Sequence, residues 1–282
     1  MPVRDAAAAA APGLTETERL VVEAVLADPA KVAFGTVAEL AARSGTSGPT
    51  VVRVARKLGY SGYRSLQAAV QAELGGSLQP AAERIRRTAA ERDDPLERVR
   101  WREVANVEAT LRAVDPAAFT TAVRLLADRK RRVLVLAGDA ERGIAETATD
   151  LLGQLRDAVE RIDGAPPRVT ARIAMVGPAD VVVAIDVRRY DAWLVDAVAD
   201  AGAAGASIVA ITDGPLSPLA NGATATFEVV AEGAGPFDSH VGTLALLHAL
   251  VAAVADRLRG SATARLDRIE ETWRRSGVLR DR

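Results

Sequence analysis

Two groups of residues in this 282-residue chain have the types and spacing to do chemistry. The first runs from Ser47 to Arg64. Ser47 and Thr50 supply hydroxyls, and Arg53, Arg56, Lys57 and Arg64 supply cations. Arg43 adds a fifth cation, and no Asp or Glu stands between Glu39 and Glu73. The whole chain carries a formal net charge of −1, so this is a local basic patch on a near-neutral molecule. Such a patch neutralises phosphates and releases their counterions. The chemistry implied is DNA binding. Ser47, Thr50 and Arg53 are expected to face the major groove, and Arg56, Lys57 and Arg64 to meet phosphate. A helical hairpin with a solvated basic face has the same pattern, and spacing alone does not separate the two.

The second group lies where apolar runs end. Gly138, Asp139 and Glu141 follow RVLVLA, and Arg188 and Arg189 follow DVVVAID. Two adjacent arginines beyond a strand end can hold an anion through charge-assisted, bidentate hydrogen bonds. Asp139 and Glu141 would then partner ligand hydroxyls or the arginines themselves. The other reading makes the arginines surface charges. Of the two histidines, His240 near the same edge is a ligand contact or a helix cap, and His248 packs on its helix. There are no cysteines, so disulfides and thiolate metal sites are excluded. No His/carboxylate cluster has metal-ligand spacing, and no catalytic motif is recognisable, so neither metal, cofactor nor catalytic residue is expected.

The elements that must position these residues can be read locally. Thr36 with Glu39 makes a capping box, so a helix starts there. Val37, Leu40 and Ala41 form its apolar face. Gly45 can take the positive φ of a tight turn. Pro49 suits the first turn of a second helix, whose inward face is Val51, Val54, Ala55 and Leu58, and Gly59 can end it. Two short helices around a Gly-containing turn make a helix-turn-helix. Thr15 with Glu18 is another capping box, opening a helix that ends at Asp28-Pro29. A further helix follows Gly62, with Tyr63, Leu66 and Val70 on one face, and stops at Gly75-Gly76.

The first thirteen residues, MPVRDAAAAAAPG, are small and Ala-rich, lack the apolar core of a signal peptide, and are expected to be a disordered tail. Residues 77–112 are highly charged and read as a helical linker, broken at Asp94-Pro95. From Asp115 the character changes. Short β-branched runs at 132–137, 180–186, 207–212 and, more weakly, 226–230 are expected as strands buried on both faces, with a fifth near 158–162. Helical stretches at 143–156, 191–203 and 241–258 lie between them, which implies a doubly wound parallel sheet. The fold class is therefore α/β: an all-α helix-turn-helix domain at 14–76, then an α/β domain at 113–260 and a C-terminal helical extension at 261–282. No apolar run approaches the ~20 residues that span a bilayer, and a cytoplasmic location is expected.

The run SGPTVVRVARKLGYSGYRSLQAAV resembles the helix-turn-helix of the RpiR/MurR family of bacterial regulators. Ser47, Thr50, Val51, Arg53, Lys57, Leu58, Gly59, Tyr60 and Gly62 carry the match. Val54 and Tyr63 stand where the family usually has Phe. The resemblance adds Tyr60 to the DNA-binding set. Residues 113–259 resemble the SIS (sugar isomerase) domain that follows in such regulators, best at Ile211-Thr212-Asp213 and Ser217-Pro218-Leu219-Ala220. SIS domains hold a sugar phosphate on Ser/Thr-rich loops at the C-terminal strand ends. Here the first loop lacks the usual Gly-x-Gly-x-Ser and holds Asp139 and Glu141, and the second has Arg188 and Arg189 in place of hydroxyls. Ser239 remains where the family often has Ser and joins the ligand set.

The leading expectation is a DNA-binding transcriptional regulator whose SIS-like domain senses a small anionic, sugar-phosphate-like metabolite. Its expected partners are double-stranded operator DNA, that effector, and further copies of itself as a homodimer or homotetramer, since one helix-turn-helix makes too few contacts for a unique address. One alternative is a sugar-phosphate isomerase, with Glu141, Glu146 and His240 as candidate bases. Another is a SIS domain that only dimerises and binds no ligand.

Overall fold

The computed structural model describes residues 3–75, 81–88, 94–214 and 217–278. The parts of the expected tail, linker and extension at 1–2, 76–80, 89–93 and 279–282 lie outside the described residues, as does the second half of the expected Gly75-Gly76 break. The chain divides into two compact units. The first holds residues 1–90 with the loop 214–221, and the second holds the remainder.

In the first unit the helices are α1 (Val3–Ala10), α2 (Glu16–Ala27), α3 (Pro29–Phe34), α4 (Val37–Arg43), α5 (Gly48–Lys57), α6 (Tyr63–Gly75) and α7 (Ala81–Thr88). Both capping boxes form. Thr36 N donates to Glu39 Oε2 at 2.6 Å while Glu39 N donates to Thr36 Oγ1 at 3.2 Å, and Thr15 and Glu18 do the same at the start of α2. Gly45 takes φ +62 between α4 and α5, and Gly59 takes φ +90 after α5, as the turn requires. Val21, Val25, Leu40, Val51, Val54, Leu58, Leu66 and Val70 share one buried core. Tyr63 and Gln67 of α6 both donate to the carbonyls of Val32 and Gly35, which satisfies the end of α3.

One sequence expectation changes here. Residues 3–10 are not a disordered tail but helix α1, with Val3, Ala6 and Ala7 buried in the same core. Alanine has the highest helix propensity, and small side chains let a helix lie close on a neighbour. Helix α2 ends at Asp28-Pro29 as expected, and what the sequence did not show is that a second helix starts at once. Asp28 caps a new helix by accepting from Lys31 N at 3.1 Å, with Pro29 in its first turn.

The second unit runs α8 (Pro95–Arg112), α9 (Pro116–Ala127), β1 (Arg132–Ala137), α10 (Arg142–Leu155), β2 (Val159–Arg161), α11 (Pro166–Ile173), β3 (Asp180–Ile185), α12 (Ala192–Ala203), β4 (Ser207–Thr212), β5 (Ala225–Glu228), α13 (Val241–Arg257) and α14 (Arg259–Ser276). The described residues form one five-stranded sheet of order β2-β1-β3-β4-β5, parallel throughout. Every residue of β3 is buried, as an unalternating apolar run should be at the centre of a parallel sheet. Helix α11 was not foreseen.

Helix α8 falls in what the sequence suggested was a linker, but it belongs to this unit. Thr110 Oγ1 accepts from Val230 N at 2.9 Å, and Asn106 Nδ2 donates to the Glu232 carbonyl at 2.8 Å. A Cβ on Gly242 of α13 would lie 2.7 Å from Thr110 Oγ1, so the glycine permits this close crossing. The polar residues inside the charged stretch are what fasten it.

Order β2-β1-β3 means the chain leaves β1 in one direction and returns to add β3 on the other side. The switch point lies between β1 and β3, and the crevice above their C-terminal ends is where open α/β sheets bind ligands.

Candidate functional site: a basic recognition helix and an acidic crevice

Helix α5 carries the first group. Ser47 caps it by accepting from Thr50 N at 3.4 Å, and the two hydroxyls lie 2.9 Å apart. Thr50, expected to face a groove, is only 8% exposed, and its hydroxyl accepts from Arg53 Nη2 at 3.4 Å. It orients a neighbour instead of presenting itself. Ser47, Arg53, Arg56, Lys57 and Arg64 are exposed, and Tyr60 is half-buried against the core of the unit. Arg56 and Arg64 form no ion pair among the described residues.

Sequence reasoning did not single out Glu18 beyond its cap. Its carboxylate is 1% exposed and accepts from Thr15 N at 2.9 Å, Arg53 Nε at 3.1 Å and Lys57 Nζ at 2.7 Å. Lys57 above all, then the Thr15 backbone and Arg53, hold it far below the usual carboxylate range, to about 2. The capping box was the visible signal. Its second job depends on α5 packing beside α2, which no local pattern reports.

The second group gathers above the switch point, but with a different centre from the one expected. Gly138 continues the ladder by donating to the Ile185 carbonyl at 3.0 Å. A Cβ there would lie 2.5 to 2.9 Å from the three carboxylate atoms of Asp186, so glycine is what lets that carboxylate lie across the end of β1. Asp186 is 3% exposed and accepts from Asp191 N at 2.8 Å. Glu141 is 2% exposed, and its carboxyl faces Asp186. Burial first, and then the Asp186 charge, raise Glu141 to about 8. Burial likewise raises Asp186, to about 6. Protonated Glu141 donates to ionised Asp186, so the pair holds one proton at neutral pH. Glu141 Oε2 is buried with no hydrogen-bond partner among the described residues.

The remaining expected residues surround this pair. Asp139 donates its N–H to Asp191 Oδ2 at 2.7 Å and pairs with Arg142 at 2.9 Å. Arg188 takes φ +58 and pairs with Asp238 at 3.1 Å, with its side chain 10% exposed. Arg189 is exposed. Tyr190 donates to Asp213 at 2.6 Å. Ser239 is engaged elsewhere: its hydroxyl donates to the Glu103 carboxylate and accepts from the N–H of Val241, the first residue of α13, at 3.1 Å. His240 holds the N-cap position of α13, and His248 is exposed on that helix, not packed. Gly138, Glu141, Asp186 and the Arg188–Asp238 pair therefore form one cluster, and the Ser239 hydroxyl is engaged outside it. The signal for Asp186 in the sequence was a carboxylate ending the apolar run Val181–Ile185 of the central strand.

Beside this cluster lies a cavity of about 420 Å³ at the ends of β1 and β2. It is lined by Ala137, Asp139, Arg142, Asp163, Gly164, Pro166 and Trp193. Its size is at the small end for metabolite pockets, with one aromatic wall and one arginine. No group of three or more metal-ligating side chains occurs among the described residues, and no single described helix is long and apolar enough to cross a membrane.

Known proteins divide the chain the same way. Residues 7–77 match the helix-turn-helix domain of the rpiR family, and residues 125–253 match the SIS domain. The chain thus carries an N-terminal helix-turn-helix of the rpiR type followed by a SIS domain. It is 28% identical over 220 residues to the HTH-type transcriptional regulator HexR of Pseudomonas aeruginosa, covering 77% of this chain and 74% of that one. The sugar isomerase domain of an RpiR transcription factor from Sphaerobacter thermophilus superposes with a TM-score of 0.60 at 26% identity, covering 63% of this chain and 98% of that one. The Vibrio vulnificus NanR protein complexed with ManNAc-6P shares the fold over 95% of this chain and 96% of its own, with a TM-score of 0.59 at 18% identity.

Proposed function

We propose that this chain is a DNA-binding transcriptional regulator whose SIS domain senses a small anionic, sugar-phosphate-like metabolite. The observation that carries the DNA half is α5: a capped helix after a glycine turn, presenting Arg53, Arg56 and Ser47 outward with Arg64 nearby in sequence. This is the disposition of a recognition helix. The effector half is supported by the crevice at the switch point, the neighbouring cavity, and relatives with sugar-phosphate names. Arg142, Arg188 and Arg189 are its cations. Arg142 and Arg188 already hold carboxylates, so an anion binds by displacing Asp139 or Asp238 and must offer better geometry than they do.

Binding without turnover is favoured by Glu141, the best-placed base candidate. Its carboxyl is spent on Asp186 and sealed from solvent. A homodimer or homotetramer is supported by α8, which exposes Leu96, Val99, Trp101 and Val104. The test is a selection from random duplex DNA with the full chain, followed by calorimetry with a panel of sugar phosphates. Enrichment of a palindromic sequence and binding of one panel member without conversion is the expected result. No enrichment, or isomerisation of a sugar phosphate, would overturn the reading.

A further inference from the structure

We propose that Glu18 is a positioning residue for base readout: it fixes the Arg53 guanidinium for the major groove and withholds Lys57 from phosphate. This rests on the DNA-binding reading above. Arg53 is braced at two points. Its Nε donates to Glu18 Oε1 at 3.1 Å and its Nη2 donates to Thr50 Oγ1 at 3.4 Å, while its side chain stays 56% exposed. Thr50 is held in turn by Ser47 at 2.9 Å. The donors used inward lie on the Nε side of the guanidinium. The outer edge, formed by Nη1 and the second hydrogen of Nη2, keeps the side-by-side donors that match a paired acceptor such as guanine O6 and N7. A guanidinium already held in one rotamer loses less freedom on binding.

Lys57 has the opposite fate. Its ammonium donates to Glu18 Oε2 at 2.7 Å and to the Gly13 carbonyl at 2.9 Å, which occupies two of its three donors and neutralises its charge. Sequence pattern makes Lys57 a phosphate contact, whereas this geometry makes it part of the brace. Glu18 is nearly without solvent, so its carboxylate answers to these two cations and not to water. A capping box alone asks only for Glu or Gln at this position. The charge is what the brace requires, and that difference separates positioning from structure.

The experiment uses the full chain, a duplex enriched by wild type from a random library, and a random-sequence duplex. Affinities are read by fluorescence anisotropy across a salt series, with melting curves on every variant. Glu18→Gln keeps the cap and removes the charge. Its affinity for the enriched duplex should fall about tenfold or more, while the random duplex should bind more tightly with a salt slope steeper by about one. Lys57→Met should leave the salt slope at the wild-type value. Arg53→Lys, which keeps the charge and loses the fork, should lose affinity for the enriched duplex alone. This variant carries the test if Glu18→Gln does not fold. The proposal is overturned if Glu18→Gln weakens both duplexes by one common factor or neither, if Lys57→Met lowers the slope by about one, or if Arg53→Lys binds the enriched duplex as wild type does. Failure confined to these variants leaves the DNA-binding reading standing. A wild type that enriches nothing removes both.

Discussion

Glu18 in the first unit and Glu141 in the second are almost equally buried, at 1% and 2% exposed, yet their carboxyls are driven in opposite directions. Glu18 meets an ammonium, a guanidinium and a backbone N–H, and is held ionised to about pH 2. Glu141 meets another carboxylate, keeps its proton to about pH 8, and leaves one oxygen without a partner among the described residues. Burial alone therefore says little about a carboxylate; the company it is buried with decides its charge. A satisfied carboxylate organises its neighbours. One buried against another acid is neutralised instead. Glu18 lies in the helix-turn-helix domain, and Glu141 in the SIS domain.

The largest expected effect is the pH dependence of the second unit. The folded pair holds a proton that the unfolded chain releases near the ordinary Glu value of 4.5. The Glu141 share of the stabilisation is therefore fully present below about pH 4.5 and is lost as pH rises toward about 8, by up to about 1.4 kcal/mol per pH unit, and Asp186, raised from 3.8 to about 6, adds to the loss below about pH 6. Glu141→Gln, neutral throughout, should flatten that stretch of the curve in denaturant titrations. Equal slopes for the two proteins would break the comparison in the second unit.

Next comes Gly138→Ala. A methyl 2.5 Å from Asp186 Oδ1 must push the carboxylate off its seat, at about 1–3 kcal/mol. Chemical denaturation measures the loss, and a pH profile shifted with it would tie the strain to the acid pair. Arg53→Ala should cost about 1–3 kcal/mol at an enriched duplex and relax base preference at one position, measured by repeating the selection with the variant. The smallest effect belongs to the acid side of Glu18. Its folded pKa is depressed, so its contribution is present above about pH 4.5 and is lost as pH falls toward 2, the reverse of Glu141. Arg53 and Lys57 face water, and screening keeps this contribution modest. Carboxyl NMR of Glu18 and Glu141 in one sample would show the two titrations on either side of 4.5; two coincident midpoints would erase the contrast.

Local chemistry made much of this fold legible. Capping boxes at Thr15 and Thr36, positive-φ glycines at 45 and 59, and the apolar run of β3 act over a few residues, and each appears where its pattern placed it. Composition misled in two places. The alanines of α1 looked like tail, and the charges of α8 hid Asn106 and Thr110, which fasten it. The site was harder still. Arg188 and Asp238, or Glu141 and Asp186, become partners only when the sheet order places their loops side by side, and no spacing within a loop reports that. Ser239 shows the converse. Its type and position suggested a ligand contact, and its hydroxyl is committed to Glu103 and the N–H of Val241.

The most direct test of an effector-controlled DNA-binding protein is the coupling itself. Anisotropy of a labelled, enriched duplex is titrated with the chain, with and without each sugar phosphate that binds it. The expected result is that one of them changes the DNA dissociation constant by about 5–150-fold, that DNA changes its affinity by the same factor, and that Arg188→Ala abolishes the change while leaving ligand-free DNA binding intact. A sugar phosphate that binds the SIS domain, by calorimetry, yet leaves the DNA dissociation constant unmoved would contradict it.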